Sequence, residues 1–446
     1  MNKQAHSLGI PDDFIRSYEA TWQEVLVPEW VRSCRSESLE RLKMMGFPSK
    51  KSEDWKYTDL TPIVNGAFHF SKEHSLPQNC CYNRFHGLSG QEIELVFING
   101  VFSKEISTTA RSFPGIRIRT LRQAMLENDG MLKQCLERIN QTGDSFSLLN
   151  QAFFQDGIFL EVEADCRFQP WIHLVFFSTS SDNFFASFPA NFLVVGQGAS
   201  VRIFESYVSF SQNQYFTNSM TSVFLEEGAS LMLGIIQAES FHSFHICSTR
   251  VIQEKRSRFD SFSFLFGGDI VRHNLDILQQ GEQAQSYLNG LYALKGRQHF
   301  DTKVVIDHQR TGGISRQLYK GILGETARSV FNGQIHVRKS AQKTDAFQLN
   351  KNLLLNTRCR VDTKPQLEIE TDDVKCSHGA AVGQLNEEEL FYLLSRGISR
   401  SQAVEILLHG FADEVISRLE NETQREMIRN LLSGNIFSKI KVDLLN

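Results

Sequence analysis

The middle of the chain carries short apolar runs that lack helical spacing and are separated by Gly, Asn or charged residues. Runs of this length and composition, bounded by turn residues, predict β-strands. They begin near Gln155 and continue to about His378, so we predict that this whole region is β-structure. The first runs are Ile158–Val162, Ile172–Phe177, Phe192–Val195, Val201–Phe204, Val223–Leu225 and Leu231–Ile236.

The β-rich region also repeats itself. The segment Gly198–Val201 recurs 30 residues later at Gly228–Leu231, and Ala284–Gly290 is echoed 43 residues later at Ala327–Gly333. We interpret the 43-residue offset as two coils of a solenoid, at about 20–22 residues each. Stacked coils bury a continuous core that no single coil could bury alone. We therefore predict a mainly β fold with a parallel β-solenoid core, and keep a β-sandwich as the alternative.

Residues 1–150 have a different character, with apolar residues at helical spacing in several segments. Tyr18–Val27, Ser36–Met45 and Leu121–Asn140 show this pattern, and Asn99-Gly100 lies between two alternating runs. The first pattern predicts helices and the second predicts a β-hairpin. We therefore predict a mixed, largely helical N-terminal domain.

Helical patterns return after the β-rich region. We place the β-solenoid at 151–383 and a C-terminal helical domain at 384–446. One helix of that domain carries an apolar stripe, which includes Val404, Leu407, Leu408 and Phe411. A single short third helix at about 422–432 would not cover this stripe, so we predict that the stripe docks a partner protein. Packing within the chain is the alternative.

Composition excludes several classes of function. The 446 residues are 41% hydrophobic and 22% charged with a net charge of −4, which excludes wholesale disorder and argues against nucleic-acid binding. No apolar run is long enough to span a membrane. The eight cysteines are scattered without a Cys-x-x-Cys pair, which favours a reducing, cytoplasmic location and argues against a self-contained zinc site. No phosphate-binding Gly-Lys-Ser/Thr loop occurs, so the chain should not hydrolyse nucleotide.

The candidate chemistry lies at the end of the β-rich region. Cys376 and His378 are two residues apart, so in a strand their side chains share a face. Lys375 beside the thiol could favour the thiolate, which is the form that binds metal. Two ligands cannot fill a four-ligand iron or zinc shell. Either a distant residue such as Cys359 or a second polypeptide would have to complete the site.

Other interpretations of these residues stay open. Cys376 and His378 could be a buried cysteine and a structural histidine, or Cys376 could be the nucleophile of a β-solenoid hydrolase. The adjacent pair Cys80-Cys81 matches no ligand spacing. His242, His245, His299 and His308 have no acidic partner that the sequence identifies, and we interpret them as structural or surface residues.

Several blocks of sequence carry a resemblance to a known family. They are Glu53–Thr58, Tyr319–Leu323, Ser329–Gly333, Ala341–Ala346, Asn352–Leu355, Asp362–Ile369, Asp372–Gly379, Leu390–Leu393 and Ser395–Ile398. Through them the chain resembles SufD-type members of the SufB/SufD family of iron–sulfur cluster assembly proteins. Members of the SufB type are usually longer, carry a cysteine cluster and lack the Cys-Ser-His-Gly run at 376–379. The middle of the chain, at 65–300, matches mainly in character.

The resemblance implies a right-handed parallel β-helix flanked by helical domains. It also implies a non-catalytic scaffold subunit that pairs with a SufB-type paralogue and docks a SufC-type ATPase through its C-terminal helices. The predicted ATPase contacts are Val404, Leu407, Leu408 and Phe411. A nascent iron–sulfur cluster or iron would be shared with the paralogue at Cys376 and His378.

We have two further expectations for the isolated chain. It should hold no cluster stably, since about four ligands are usual and only one close pair is present. Its exposed edge strand could also pair with a second copy when the partner is missing. A structural adaptor without chemistry of its own is a further alternative.

Overall fold

The protein is described by a computed structural model over residues 7–8, 15–16, 27–71, 75–76, 92–108, 113–140, 143–179 and 183–434. The predicted helix Tyr18–Val27, except its last residue, and the pair Cys80-Cys81 lie outside the described residues.

The helices and strands have the following bounds. The helices are α1 Glu29–Met45, α2 Thr61–Val64, α3 Leu121–Leu126, α4 Gly130–Asn140, α5 Ser145–Phe153, α6 Glu387–Ser395, α7 Arg400–Ile416 and α8 Glu422–Leu432, with a 3-10 turn at Glu53–Trp55. The strands are β1 Ser7–Leu8, β2 Phe47–Pro48, β3 His69–Phe70, β4 Glu92–Ile98, β5 Val101–Phe102, β6 Ile116–Thr120, β7 Ile158–Val162, β8 Arg167–Ser178, β9 Phe185–Ser187, β10 Ala190–Val195, β11 Ser200–Ser209, β12 Tyr215–Leu225, β13 Ser230–Ala238, β14 Ser243–Gln253, β15 Arg258–Leu265, β16 Ile270–Gln279, β17 Gln285–Leu294, β18 His299–His308, β19 Ile314–Leu323, β20 Arg328–Val337, β21 Thr344–Leu354, β22 Arg360–Ile369 and β23 Val374–Gln384.

The strands from β7 onwards form a parallel β-solenoid of about seven turns, which confirms the predicted fold. They alternate between two sheets. The first sheet runs in the order β22-β20-β18-β16-β14-β12-β10-β7-β6, and the second runs β23-β21-β19-β17-β15-β13-β11-β8-β4-β5. Neighbouring strands of the coils pair in parallel, whereas the sheets of a sandwich are antiparallel. The β-sandwich alternative is therefore wrong.

Each coil is longer than the sequence repeats indicated. Residues in register on adjacent coils are 26 to 33 positions apart, and Ser200 lies opposite Ser230. The 30-residue echo is therefore one coil. The 43-residue echo relates β17 in the second sheet to β20 in the first, which is one and a half coils. Our interpretation of two coils of about 20–22 residues was wrong, because both strands of a coil carry a similar pattern and echo each other.

The solenoid interior contains a buried ion pair among its apolar side chains. His245 Nδ1 lies 2.6 Å from Glu239 Oε2, and both side chains are about 1% exposed. Burial by itself would lower the pKa of His245, but the Glu239 carboxylate and a hydrogen bond with Cys247 outweigh it and raise the pKa to about 9. The prediction that His245 has no acidic partner was wrong, because the turn before β14 brings Glu239 back onto that strand.

The predicted N-terminal hairpin is confirmed. Strands β4 and β5 pair antiparallel around Asn99 and Gly100, whose φ angles are 48° and 84°. A tight hairpin turn with two positive φ angles favours this residue pair. The predicted helices Ser36–Met45 and Leu121–Asn140 are also present, as α1 and as α3 with α4.

The N-terminal turn, residues 50–62, is fastened to the outer face of the first sheet. The Arg272 guanidinium lies 4.0 Å from the Trp55 ring centre and donates a hydrogen bond to Asp301 at 2.5 Å. Lys303 pairs with Asp54 at 2.6 Å. Because these partners come from β16 and β18, the turn crosses adjacent coils.

Among the described helices, none has the length and apolar character that a membrane span needs.

Candidate functional site

The solenoid has an open end at its last coil. Strands β22 and β23 are the terminal members of their sheets. Every residue of β23 is exposed or half-buried, whereas alternate residues of β21 beneath it are buried. Strand β23 therefore covers β21, but no further coil among the described residues covers β23.

Cys376 and His378 lie on this end strand, two positions apart. Cys376 is in register with Ala346, and His378 is in register with Gln348. Cys376 is half-buried against a small cluster that includes Ile335, whereas His378 is exposed. Because alternate residues of a strand share a face, both side chains lie on the inward row that β21 continues below. The donor pair is thus at the mouth of the solenoid.

The thiol of Cys376 is not activated in the way that we expected from its neighbour. Partial burial raises the pKa of Cys376, and the nearby Asp345 carboxylate adds to the effect. The Lys375 side chain follows the alternation of the strand to the opposite face and is exposed. Our expectation that Lys375 favours the thiolate was wrong, and a partner or a bound metal would have to promote deprotonation.

Cys359 does not join this pair. Its thiol lies 3.2 Å from the Leu323 carbonyl oxygen and is buried in the main interior cluster. Cys359 precedes the first residue of β22, whereas Cys376 packs against the same small cluster as Leu367, which is near the last residue of β22. Eight positions along a strand separate the two ends by roughly 25 Å. Within the described residues, no group of three or more His, Cys, Asp or Glu side chains is placed to hold a metal.

A row of buried amides, which we did not predict from the sequence, lies behind the donor pair. Gln348, Asn350 and Asn352 on β21 are buried, and Gln317 lies in register with Gln348 one coil further in. Within the described part of the chain, the Gln348 Oε1 atom has no hydrogen-bond partner. The amides could have been found from the sequence, because Gln348, Asn350 and Asn352 occupy every second position of β21 and therefore share one face of the strand.

The predicted docking stripe is largely covered by the chain itself. Val404 and Leu408 are 4% and 0% exposed, and Leu407 and Phe411 are half-buried. They pack in one cluster with residues of the second sheet, such as Leu318. Our expectation that the stripe lacks sufficient intramolecular cover was wrong, because the outer face of the solenoid packs on it in addition to the third helix.

Other apolar side chains of the C-terminal helices are exposed instead. Phe391 and Tyr392 on α6 are 71% and 56% exposed, and Ile406 on α7 is 49% exposed. On the inner side, Lys320 of β19 contacts the Phe411 ring at 3.9 Å and pairs with Glu414 at 2.6 Å. The helices thus have one face fixed to the solenoid and one face with exposed aromatic groups.

Comparison with known proteins identifies the family. Residues 176–411 match the family model described as "SUF system FeS cluster assembly, SufBD core domain", and residues 12–174 match the SufBD protein N-terminal region. The chain belongs to the SufBD family. Together the two matches cover the N-terminal elements after β1, the solenoid and the start of the C-terminal helices.

Individual SufBD relatives are similar over most of their length. A Synechocystis iron–sulfur cluster assembly SufBD family protein is 33% identical over 407 residues, which is 90% of each chain. The Escherichia coli iron–sulfur cluster assembly protein SufD is 30% identical, covering 87% of this chain and 89% of the relative. The Arabidopsis thaliana protein ABCI7, chloroplastic, is 30% identical, covering 90% of this chain and 85% of the relative. The chain is therefore a homologue of SufD in iron–sulfur cluster assembly.

Proposed function

We propose that this chain is a non-catalytic scaffold subunit whose open solenoid end forms half of a site for a nascent iron–sulfur cluster. A SufB-type paralogue covers the end and supplies the remaining ligands, and a SufC-type ATPase docks on the C-terminal helices. The cluster or its iron is cargo at this interface. A cytoplasmic location, expected from the reduced cysteines, is part of the same proposal.

One observation carries the proposal: Cys376 and His378 lie on the inward row of an uncovered end strand. A thiol and an imidazole are iron ligands, but a cluster usually needs about four protein ligands. A second chain seated on the same end would add ligands and exclude water. Among the described strands none pairs with the outer edge of β23, which can therefore pair with a second chain, whereas Pro365 in the middle of β22 lacks an N–H and interrupts the other edge.

The first test measures cluster assembly in the complete complex. The chain is co-expressed with its paralogue and ATPase, and iron and sulfide are measured per complex after anaerobic reconstitution. We expect His378→Ala and Cys376→Ala to lower both, because each removes a donor. Ser377→Ala is the matched control, since Ser377 is exposed on the opposite face of the same strand. Wild-type yield from a His378→Ala complex of normal composition would refute the site.

We propose the exposed face of the C-terminal helices as the docking surface for the ATPase. Phe391 and Tyr392 are the exposed aromatic groups there, and aromatic groups of this kind are common interaction hot spots. Removing all residues after 383 would uncover the apolar side of the second sheet and so would not separate docking from stability. Point variants on the exposed face avoid this problem.

The second test therefore compares Phe391→Ala and Tyr392→Ala with Leu126→Ala in an ATPase pull-down. Leu126 is 56% exposed at the end of α3, so its substitution removes a similar exposed apolar group elsewhere. We expect the two α6 variants to lose ATPase binding while the control retains it. Unchanged binding in all three would move the docking surface away from α6.

The isolated chain provides a third measurement. We expect the purified chain to lose iron and sulfide on desalting after reconstitution, because the open end leaves the site under-ligated and in contact with water. Size-exclusion chromatography of the same sample tests whether two copies pair through β23. A cluster retained at full occupancy by a lone monomer would contradict the shared site, and a cysteine-dependent hydrolase activity would favour the nucleophile alternative.

A further inference from the structure

Gln348 lies directly beneath His378 in the inward row of the second sheet. The two residues are in register on β21 and β23, and neighbouring strands of a sheet are about 4.8 Å apart. The Gln348 side chain is fully buried, whereas His378 is exposed at the open end. A buried amide therefore lies one coil below the imidazole and on the same face of the sheet.

The orientation of the Gln348 amide is set by Gly333 on the opposite sheet. The Gln348 Nε2 atom donates a long hydrogen bond, of 3.5 Å, to the Gly333 carbonyl oxygen. The amide lies so close to this residue that a Cβ atom at Gly333 would overlap it. Because a carbonyl oxygen only accepts hydrogen bonds, the amide nitrogen must be the atom that faces Gly333. The amide oxygen, Oε1, is then the end of the side chain that still requires a partner.

The Gln348 Oε1 atom requires a hydrogen-bond donor. It is buried and has no partner among the described residues, and an unpaired buried acceptor is costly. Gln317, one coil further in, does not supply the donor, since within the described part of the chain both of its amide atoms are also without partners and the side chain is buried. The exposed His378 ring can turn about its side-chain bonds, so it is a donor that can move to meet this oxygen.

We propose that Gln348 is a positioning residue for His378, and that its Oε1 atom accepts the N–H of the neutral imidazole. A neutral imidazole has one N–H and one nitrogen with a lone pair. Once the N–H is directed inward to Gln348, the other nitrogen faces out of the open end with its lone pair available to a metal. The role in iron binding rests on the proposed function of His378, but the hydrogen bond itself does not.

The first measurement is the tautomer of His378 in the isolated, folded chain. Magnetic resonance spectra of isotope-labelled ring nitrogens are recorded at about pH 8, where an ordinary imidazole is neutral. The signal that is lost in His378→Asn assigns the residue. We expect the wild-type ring to keep its proton on one nitrogen, whereas Gln348→Met, which retains the side-chain length but has no amide, should show both tautomers. Equal tautomer populations in these two proteins would overturn the proposal.

Two further variants separate this hydrogen bond from general damage to the end of the solenoid. Gly333→Ala removes no polar group, but its Cβ would displace the Gln348 amide, so it should release the His378 tautomer as Gln348→Met does. Gln317→Met makes the same chemical change one coil further in and should leave the tautomer unchanged. If Gln317→Met releases the tautomer as fully as Gln348→Met, the effect is a loss of packing and the proposal is wrong.

The second measurement is the iron affinity of the complete complex, titrated against a competing chelator. Loss of the outer hydrogen bond of a ligating histidine typically lowers metal affinity by about 10–100-fold. We expect a loss in this range for Gln348→Met and none for Gln317→Met. Wild-type affinity in Gln348→Met, where His378→Ala has lost affinity, would overturn the positioning role. If His378→Ala also keeps the wild-type affinity, the proposed cluster site fails instead, and the tautomer of the isolated chain still decides whether the hydrogen bond exists.

Discussion

The buried pair of His245 and Glu239 should make the stability of the chain depend on pH in a defined direction. An unfolded histidine has a pKa of about 6.5, whereas this one has a pKa of about 9. The folded pKa is raised, so the folded state keeps a proton that the unfolded state releases. The stabilisation is fully present below about pH 6.5 and is lost as the pH rises through about 9. At about 1.4 kcal/mol per pKa unit, the shift corresponds to about 3 kcal/mol.

The measurement compares the wild type with the double variant His245→Gln/Glu239→Gln. Replacing only the histidine would leave the buried Glu239 carboxylate without this partner, whereas the double variant removes both groups and retains polar side chains. Urea unfolding is followed by circular dichroism at about pH 6 and about pH 10. We expect the wild-type free energy of unfolding to fall by about 3 kcal/mol more than that of the double variant between these pH values.

A parallel loss of stability in the two proteins would refute this reasoning. It would mean that His245 does not hold an extra proton in the folded chain, and that the short distance to Glu239 reflects a neutral hydrogen bond. A direct check is the titration of the His245 imidazole by nuclear magnetic resonance, which should show no midpoint near 6.5.

Three further substitutions test the packing, each by its urea midpoint against the wild type. Leu408→Ala should cost about 3 kcal/mol, because the side chain is fully buried against the solenoid; an unchanged midpoint would mean that α7 does not pack there. Asp301→Ala should cost about 3 kcal/mol by leaving the buried Arg272 charge without its carboxylate; a neutral effect would contradict the fastened N-terminal turn. Gly290→Ala should cost about 2 kcal/mol, since the new Cβ would overlap the buried Tyr319 ring and force it to shift; wild-type stability would show that this ring can move without cost.

The strands and the shared face of the donor pair follow from local properties of the sequence. Apolar runs bounded by turn residues predicted β7 and the strands that follow it, and Cys376 with His378 lie on one face because strand geometry has a period of two residues. The number of residues in a coil did not follow from these local properties. Similar patterns on both strands of a coil made an echo across one and a half coils look like a repeat of two coils, and only the register of paired strands resolves it.

The environment of the donor pair depends on residues distant in sequence. Burial and Asp345, a residue of the preceding coil, set the direction of the Cys376 pKa, whereas the adjacent Lys375 faces the other way. Cys359 is closer in sequence to Cys376 than Asp345 is, yet it lies at the far end of β22. Distances across coils are set by the lengths of the intervening turns and strands, so the number of residues between two positions does not predict how far apart they lie.

The C-terminal stripe shows most directly which properties the sequence determines and which only the tertiary structure decides. The positions of Val404, Leu407, Leu408 and Phe411 determined that one side of α7 is apolar and must be covered, since exposed apolar surface is costly in water. They did not determine what covers it. The second sheet does so, whereas Phe391 and Tyr392 of the neighbouring helix α6 are exposed. A helical pattern specifies the side that avoids water, but the covering surface is a choice among all the apolar faces of the chain, and only the tertiary structure makes that choice.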